Sequence, residues 1–182
     1  ISQEITSAFD YKILRHICNS AASVRFPQVH YDMIRLGIGM YGIGVNQETQ
    51  KHLRYVHKLQ SRLSEIRTIE KGEGVSYMRR FVAEKQSKIG VIPIGYADGL
   101  NRHLSEKGFR VWINGKLAPI IGSICMDMCM IDLSDIEAKV GDKVVIFGEE
   151  NPVENMAKAL DTISYEVFTS VSQRIKRVYF HE

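Results

Sequence analysis

Short apolar runs punctuated by glycine or small polar residues dominate the chain, and most have the length of strands rather than helices. Residues 3–9 read as the end of a helix. Residues 12–18 (KILRHIC) then read as a short strand closed by Asn19-Ser20-Ala21-Ala22, and residues 31–36 (YDMIRL) as a second strand closed by the glycine loop 37–42. The small residues after the first strand leave backbone amides and the Ser20 hydroxyl free to face a ligand or to cap a short helix. A polar stretch from Val45 to His52 reads as a linker, with the boundary near residue 46. Beyond it, strand-like runs recur at 56–69, 81–83, 88–94, 110–113, 118–121, 128–133 and 143–147, several separated by turns at Lys71-Gly72, Asn114-Gly115 and Gly141-Asp142. One helix interrupts them: Asn151 is placed as N-cap, Pro152 at the first helical position and Glu154 where it completes a capping box, with Val153, Met156, Ala157 and Leu160 on the apolar face. The pattern predicts two segments, 1–45 and 46–182, the second mainly β with one short helix.

Composition narrows the classes. At 182 residues the chain suits one domain with a piece of another, and is too short for a complete (β/α)8 barrel. Its 45% hydrophobic and 25% charged residues supply enough apolar surface for a folded core. A net charge of +3 with only short basic clusters does not indicate nucleic-acid binding. Nor is there a basic-aromatic stripe of the kind on which single strands stack. There is no apolar run of about 18 residues to span a membrane and no secretory signal. Cys18, Cys125 and Cys129 form no disulfide framework and lack the paired Cys/His sets of a zinc site, so they read as buried thiols, with no metal, in a reducing cytoplasm. Because the first residue is Ile and the opening looks helical, residues upstream are expected.

Candidate chemistry concentrates at 72–99 (GEGVSYMRRFVAEKQSKIGVIPIGYADG), where Tyr77 and Tyr96 sit in glycine-flanked turns around two strand-like segments. Glycine beside a polar aromatic residue marks a special backbone conformation or a close approach; the alternative is a hairpin with two ordinary tyrosines. Arg35 ends an apolar run, where a buried guanidinium would demand a partner. A structural salt bridge meets that demand, as does a ligand held at the carboxyl ends of barrel strands, where phosphate sites are common.

Six stretches in order carry a resemblance: HICNSAASVRFP, DMIRLGIGMYG, GVSY, PIGYADG, ICMDMCMID and SYEV. Together they resemble the C-terminal half of bacterial alanine racemase, over nearly the whole chain. The resemblance implies that 1–45 is the end of a pyridoxal-phosphate-binding (β/α)8 barrel and 46–182 the C-terminal β domain. It implies a homodimer whose active site is shared between subunits, interconverting L- and D-alanine and supplying D-alanine for peptidoglycan.

By the same resemblance, Ser20, Gly37, Ile38 and Tyr165 bind the cofactor phosphate, and Arg35 hydrogen-bonds the pyridine nitrogen. A guanidinium does not readily give up its proton, so the ring stays unprotonated and a weaker electron sink. Tyr77 matches the base that removes the α-proton of L-alanine, a cofactor-bearing lysine acting on the opposite face. A phenol titrates near 10 and must be activated, in the family through a histidine expected upstream of this chain. Met126 offers its backbone amide to the substrate carboxylate, and Tyr96 and Arg102 line the substrate corridor. The lysine is also expected upstream, so the chain alone is expected to be inactive. The family commonly has Arg at Ser123, Gly at Met78 and often Gln at Met128. The first two departures leave open a serine or broader-specificity racemase; a non-catalytic β interaction module is the reading from another class.

Overall fold

Seven antiparallel strands make the main sheet of the chain, and each owes its place to a turn or an apolar face visible in the residues. The computed structural model describes residues 2–180. It divides into two compact units, Ile1–His57 and Lys58–Glu182.

The first unit contains helices α1 (Ser2–Ser7), α2 (Ser20–Arg25) and α3 (Gln47–Gln50). Asn19 caps α2 by accepting the Ala22 amide through its side chain, and Asn46 caps α3 by accepting that of Thr49. The polar stretch expected as a linker therefore contains a helical turn. The strands expected at 12–18 and 31–36 are not formed. The two runs lie side by side, with the Asp32 amide donating to the Arg15 carbonyl and the Arg35 amide to that of Cys18, but these bonds do not extend into a ladder. Apolar residues in and around both runs, among them Leu14, Ile17, Met33 and Leu36, are exposed. A parallel barrel strand is stable only when neighbours cover its edges and faces, and among the described residues these runs find backbone hydrogen-bond partners only in each other.

The second unit holds strands β1 (Leu59–Arg62), β2 (Glu65–Ile69), β3 (Gly74–Val75), β4 (Phe81–Val82), β5 (Ser87–Ile92), β6 (Arg110–Ile113), β7 (Lys116–Ile121), β8 (Cys129–Asp132) and β9 (Lys143–Phe147). The main sheet has the order β1-β9-β6-β7-β8-β5-β2, and β3 pairs only with β4. The run read as one strand over 56–69 is split at Leu63 and Ser64. Its halves lie at opposite edges of the sheet, and Leu63 is wholly buried between them. Asn114-Gly115 joins β6 to β7 with both φ values positive, +46° and +84°, the mirror-image turn that matches strand twist. Leu63, Ile92, Ile113, Ile131, Leu133 and Ile146 fill the interior. Gly90 lets β5 pack directly on Leu63 and Leu133, whose methyls lie 2.7 Å from where a Cβ would stand. The segments flanked by Tyr77 and Tyr96 do not pair with each other: β4 turns back on β3, while β5 lies between β2 and β8.

Helix α4 (Val153–Ala159) buries Val153, Met156 and Ala157 as its periodicity predicts, but its expected cap is absent. Pro152 occupies the N-cap, and Asn151 is buried, donating to the carbonyls of Arg110 and Ile146. A buried and a part-buried carbonyl outweigh one helix terminus, because an unpaired buried acceptor costs about 1–3 kcal/mol. A second helix, α5 (Ser164–Ser170), packs on α4 and sets Phe168 edge-on against Phe147, with ring centroids 5.7 Å apart.

The three thiols are free. Cys18 and Cys129 are buried, and burial, reinforced by neighbouring Cys125, pushes the Cys129 thiol up to about 12. Cys125 departs from the expected buried strand position: it lies in the loop before β8 and is half-buried.

Candidate functional site

The loop between β7 and β8, residues 122–128, gathers most of the candidate residues of the second unit. Three sets of hydrogen bonds tie neighbouring segments to it.

The first reaches the turn that carries Tyr77. This turn connects β3 to β4, whose Val75 packs with Ile69, Ala83, Ile89, Ile121 and Met130 and with half-buried Phe81 in a small core. The turn is strained: Ser76, Met78 and Arg79 have φ values of +65°, +62° and +48°. Each such residue costs roughly 1–2 kcal/mol in a conformation that glycine adopts freely. A glycine at position 78 would relieve the strain there, and Met78 returns no packing for it, being 89% exposed. Opposing bonds hold the conformation. Ser76 Oγ accepts the Ser123 amide at 2.6 Å, and Arg79 folds over Gly74 to donate to the Gly72 carbonyl at 2.7 Å. Tyr77 is thereby presented 74% exposed.

The second set reaches the GYADG segment. The amides of Tyr96 and Ala97 donate to the carbonyls of Cys125 and Met126, both at 3.0 Å. Gly95 makes this approach possible, since a Cβ there would stand 2.3 Å from the Cys125 oxygen and 2.4 Å from that of Met126. The Met126 carbonyl is thus committed, whereas its amide has no hydrogen-bond partner among the described residues. The Arg102 guanidinium lies over the Tyr96 ring, 5.9 Å from its centroid. Tyr96 also lines a groove of about 640 Å³ with Asn101, His103, Lys107, Asp161 and Glu166, none of them an expected site residue.

The third set runs through Asp98, which is buried. One carboxylate oxygen accepts the Gly95 amide at 2.9 Å and the other the Arg174 Nε–H at 2.6 Å, while Arg174 also donates to Asp127 at 2.5 Å. Burial alone would raise the Asp98 carboxyl, but the Arg174 and Gly95 hydrogen bonds outweigh it and hold it below its ordinary 3.8. A depressed carboxyl stabilises the fold above its unfolded-state value, and that stability is lost as pH falls through the folded-state value. At neutral pH Asp98→Asn is expected to lower stability by about 1–2 kcal/mol, a figure discounted because Arg174 is half-exposed. Thermal unfolding followed from pH 7 downward should show the gap narrowing once the pH drops below 3.8. A gap of the same size at pH 2 would mean that the charge on Asp98 contributes nothing.

In the first unit, Ser20 Oγ accepts the Gly37 amide at 2.9 Å, which places Ser20 beside the start of the glycine loop. Ser20 and Ile38 are buried. Arg35 does not meet the expectation of burial: it is exposed, and its guanidinium donates to the Ile17 carbonyl at 3.3 Å. Exposed to water, the Arg35 guanidinium has no desolvation cost that a partner must offset. Tyr165 belongs to the second unit, on α5, with its ring partly exposed. Among the described residues no group of three or more His, Cys, Asp or Glu side chains is arranged to hold a metal, and no helix is long and apolar enough to cross a membrane.

Sequence reasoning missed Ser76, Asp98, Asp127 and Arg174. Asp98 carried a signal, an acidic residue three positions after a glycine that needs its amide satisfied. Arg174 carried none, since its partners are 76 and 47 residues away.

Comparison with known proteins places the chain in one family. The profile described as alanine racemase, C-terminal domain, matches residues 56–179, and that described as alanine racemase, N-terminal domain, matches residues 2–45. The alanine racemase of Clostridium tetani is 43% identical over 181 residues, which are 95% of this chain and 46% of that protein. The chain thus spans about half the length of the curated relatives it matches. Among solved structures, alanine racemase of Clostridium difficile 630 superposes with a TM-score of 0.89 at 38% identity, covering 98% of this chain and 47% of that one. Alanine racemase from Bacillus anthracis with bound L-Ala-P gives 0.84 at 33% identity, covering 96% and 47%.

Proposed function

This chain belongs to the alanine racemase family, matching the C-terminal half of its members, and we propose that it forms part of a pyridoxal-phosphate-dependent enzyme that interconverts L- and D-alanine. The observation that carries the reading is the 122–128 loop, to which the Ser76 hydroxyl beside Tyr77 and the Tyr96 and Ala97 amides are tied and from which Met126 presents an uncommitted amide. A base, an aromatic wall and a carboxylate donor held on one framework suit proton removal from a small amino acid.

The residues of the first unit fit the cofactor. The Ser20 hydroxyl, which accepts the Gly37 amide and keeps its own hydrogen to donate, and the Ile38 and Gly39 amides of the glycine loop form a compact set of neutral donors of the kind that holds phosphate. Ser20, Gly37 and Ile38 would bind that phosphate, with Tyr165 assigned to it by the family resemblance alone, and Arg35 would hydrogen-bond the ring nitrogen while keeping its own proton. When bound, the cofactor supplies the electron sink that makes the α-hydrogen of alanine acidic. Tyr77 Oη takes that proton from L-alanine, the Met126 amide holds the substrate carboxylate, and Tyr96 with Arg102 walls the approach. Inversion needs a second base on the opposite face, which we assign to a lysine in the barrel portion upstream. In the homodimer, Tyr77 and Met126 serve the partner subunit's cofactor. D-Alanine for peptidoglycan is the product we assign, and the cytoplasm its compartment. We retain residues 1–45 as the end of the barrel and 46–182 as the β domain.

The test is reconstitution. Supplying the upstream barrel portion and pyridoxal phosphate is expected to produce exchange of L- for D-alanine, with none from this chain alone. Absence of exchange from the reconstituted protein overturns the enzyme assignment, and exchange by the chain alone overturns the assignment of the second base.

A further inference from the structure

The segment after α5 has neither helix nor strand, yet it is bound closely to the GYADG motif. The Ser172 amide donates to the Asp98 carbonyl at 3.1 Å. Gly99, with φ at +102°, lets the Ser170 carbonyl approach to 2.4 Å from where a Cβ would stand. Arg177 donates to the carbonyls of Val171, Ser172 and Ile175 and so fixes the path of the chain around Arg174. From there Arg174 reaches two carboxylates on different segments: Asp98, two residues after Tyr96, and Asp127, next to Met126.

We propose that Arg174 is a positioning residue that sets the spacing between the Tyr96 segment and the 125–128 turn, and through it the pose of the Met126 amide and the Tyr96 ring toward the substrate. The inference rests on the racemase reading for the identity of the substrate, and on geometry alone for the clamp. Among the described residues, only two backbone hydrogen bonds join the two segments directly, those from Tyr96 and Ala97 to Cys125 and Met126. Backbone bonds at a partly exposed surface open readily unless something spans them. A guanidinium is suited to that task, because its rigid planar fork can hold two carboxylates at once through different nitrogens. A lysine ammonium at the same position can pair with Asp98 but has no fixed second arm for Asp127. Arg174 touches neither the expected substrate contacts nor the cofactor residues, so it acts through the loop.

The experiment uses the complete enzyme, this chain with its upstream half and cofactor, as wild type, Arg174→Met, Arg174→Lys, Asp127→Asn and the double variant Arg174→Met with Asp127→Asn. Arg174→Met is expected to raise KM for alanine about tenfold with kcat changed less than about twofold, as loss of binding shared by substrate and transition state requires. Arg174→Lys should recover part of that loss, and the double variant should be no worse than Arg174→Met, because both changes remove the same bridge. Amide hydrogen exchange at Tyr96 and Ala97 should be about tenfold faster in Arg174→Met while strand amides keep their protection. An unchanged KM, or unchanged exchange at those two amides, overturns the proposal, as does a uniform rise in exchange, which marks a purely global stability effect. If the wild-type enzyme shows no racemisation, the racemase reading fails and the exchange measurement still decides whether the clamp exists.

Discussion

Tyr77→Phe in the complete enzyme is expected to slow loss of the α-proton from L-alanine by about 10²- to 10⁴-fold, the usual contribution of a positioned base. The substitution keeps the ring and removes only Oη. Tyr77 is 74% exposed and its hydroxyl has no partner among the described residues, so stability should stay within about 0.5 kcal/mol of wild type. That separation makes the test clean, because a fall in rate cannot be assigned to unfolding. Proton exchange at D-alanine, which the proposal gives to the lysine on the other face, should persist. Following solvent-deuterium incorporation into each enantiomer separately distinguishes the two bases. Equal rates of L-alanine proton loss in variant and wild type would remove Tyr77 from the mechanism.

Gly95→Ala is expected to be the most damaging small substitution in the candidate site, costing about 3 kcal/mol as a clash in a packed region that cannot expand. The backbone conformation is not the reason. Gly95 has φ −142° and ψ −163°, which is extended backbone open to any residue. The reason is the added methyl, placed 2.3 and 2.4 Å from two carbonyl oxygens of the 125–128 turn. Those oxygens are the acceptors of the Tyr96 and Ala97 amides. Moving them aside breaks the bonds that join the segments, so activity should fall together with stability. Gly108→Ala is the control. Gly108 has φ +68° with nothing near its missing Cβ, so the cost there is backbone strain alone, about 1 kcal/mol. Denaturant midpoints compare the two, and equal midpoints would show that the close approach at Gly95 does not constrain the fold.

Both predictions depend on the same loop, and its part in the site differs from what its residues suggest. ICMDMCMID was informative as a motif because of Met126, but the structural weight falls on its carbonyls and on Ser123. Likewise GVSY drew attention to Tyr77, while Ser76 fastens that turn to the sheet. The strain at Ser76, Met78 and Arg79 is tolerated because the Ser123 amide and the Gly72 carbonyl hold it from both sides.

What the sequence by itself determined was local. Short apolar runs located most strands of the second unit to within a few residues, although they ran β1 and β2 together and gave no sign of β3; Asn114-Gly115 specified a hairpin turn, and the apolar face of α4 followed its periodicity. The six motifs in order pointed to the family. The failures share one physical cause. Residues 12–18 and 31–36 read as strands because their composition is that of buried strands, yet a strand exists only through its neighbours, and among the described residues these two runs find backbone hydrogen-bond partners only in each other. Arg35 read as buried from the same apolar surroundings and is exposed. Asn151 had every local reason to cap α4, and its side chain is claimed instead by the Ile146 carbonyl at the end of β9 and by the Arg110 carbonyl 41 residues away. Arg174 had no local signal at all, because its role is set by carboxylates 76 and 47 residues away. Periodicity and turn chemistry act within a few residues and can be read along the chain. Burial, close backbone approach and charge pairing depend on which distant segments meet, and only the tertiary structure decided those.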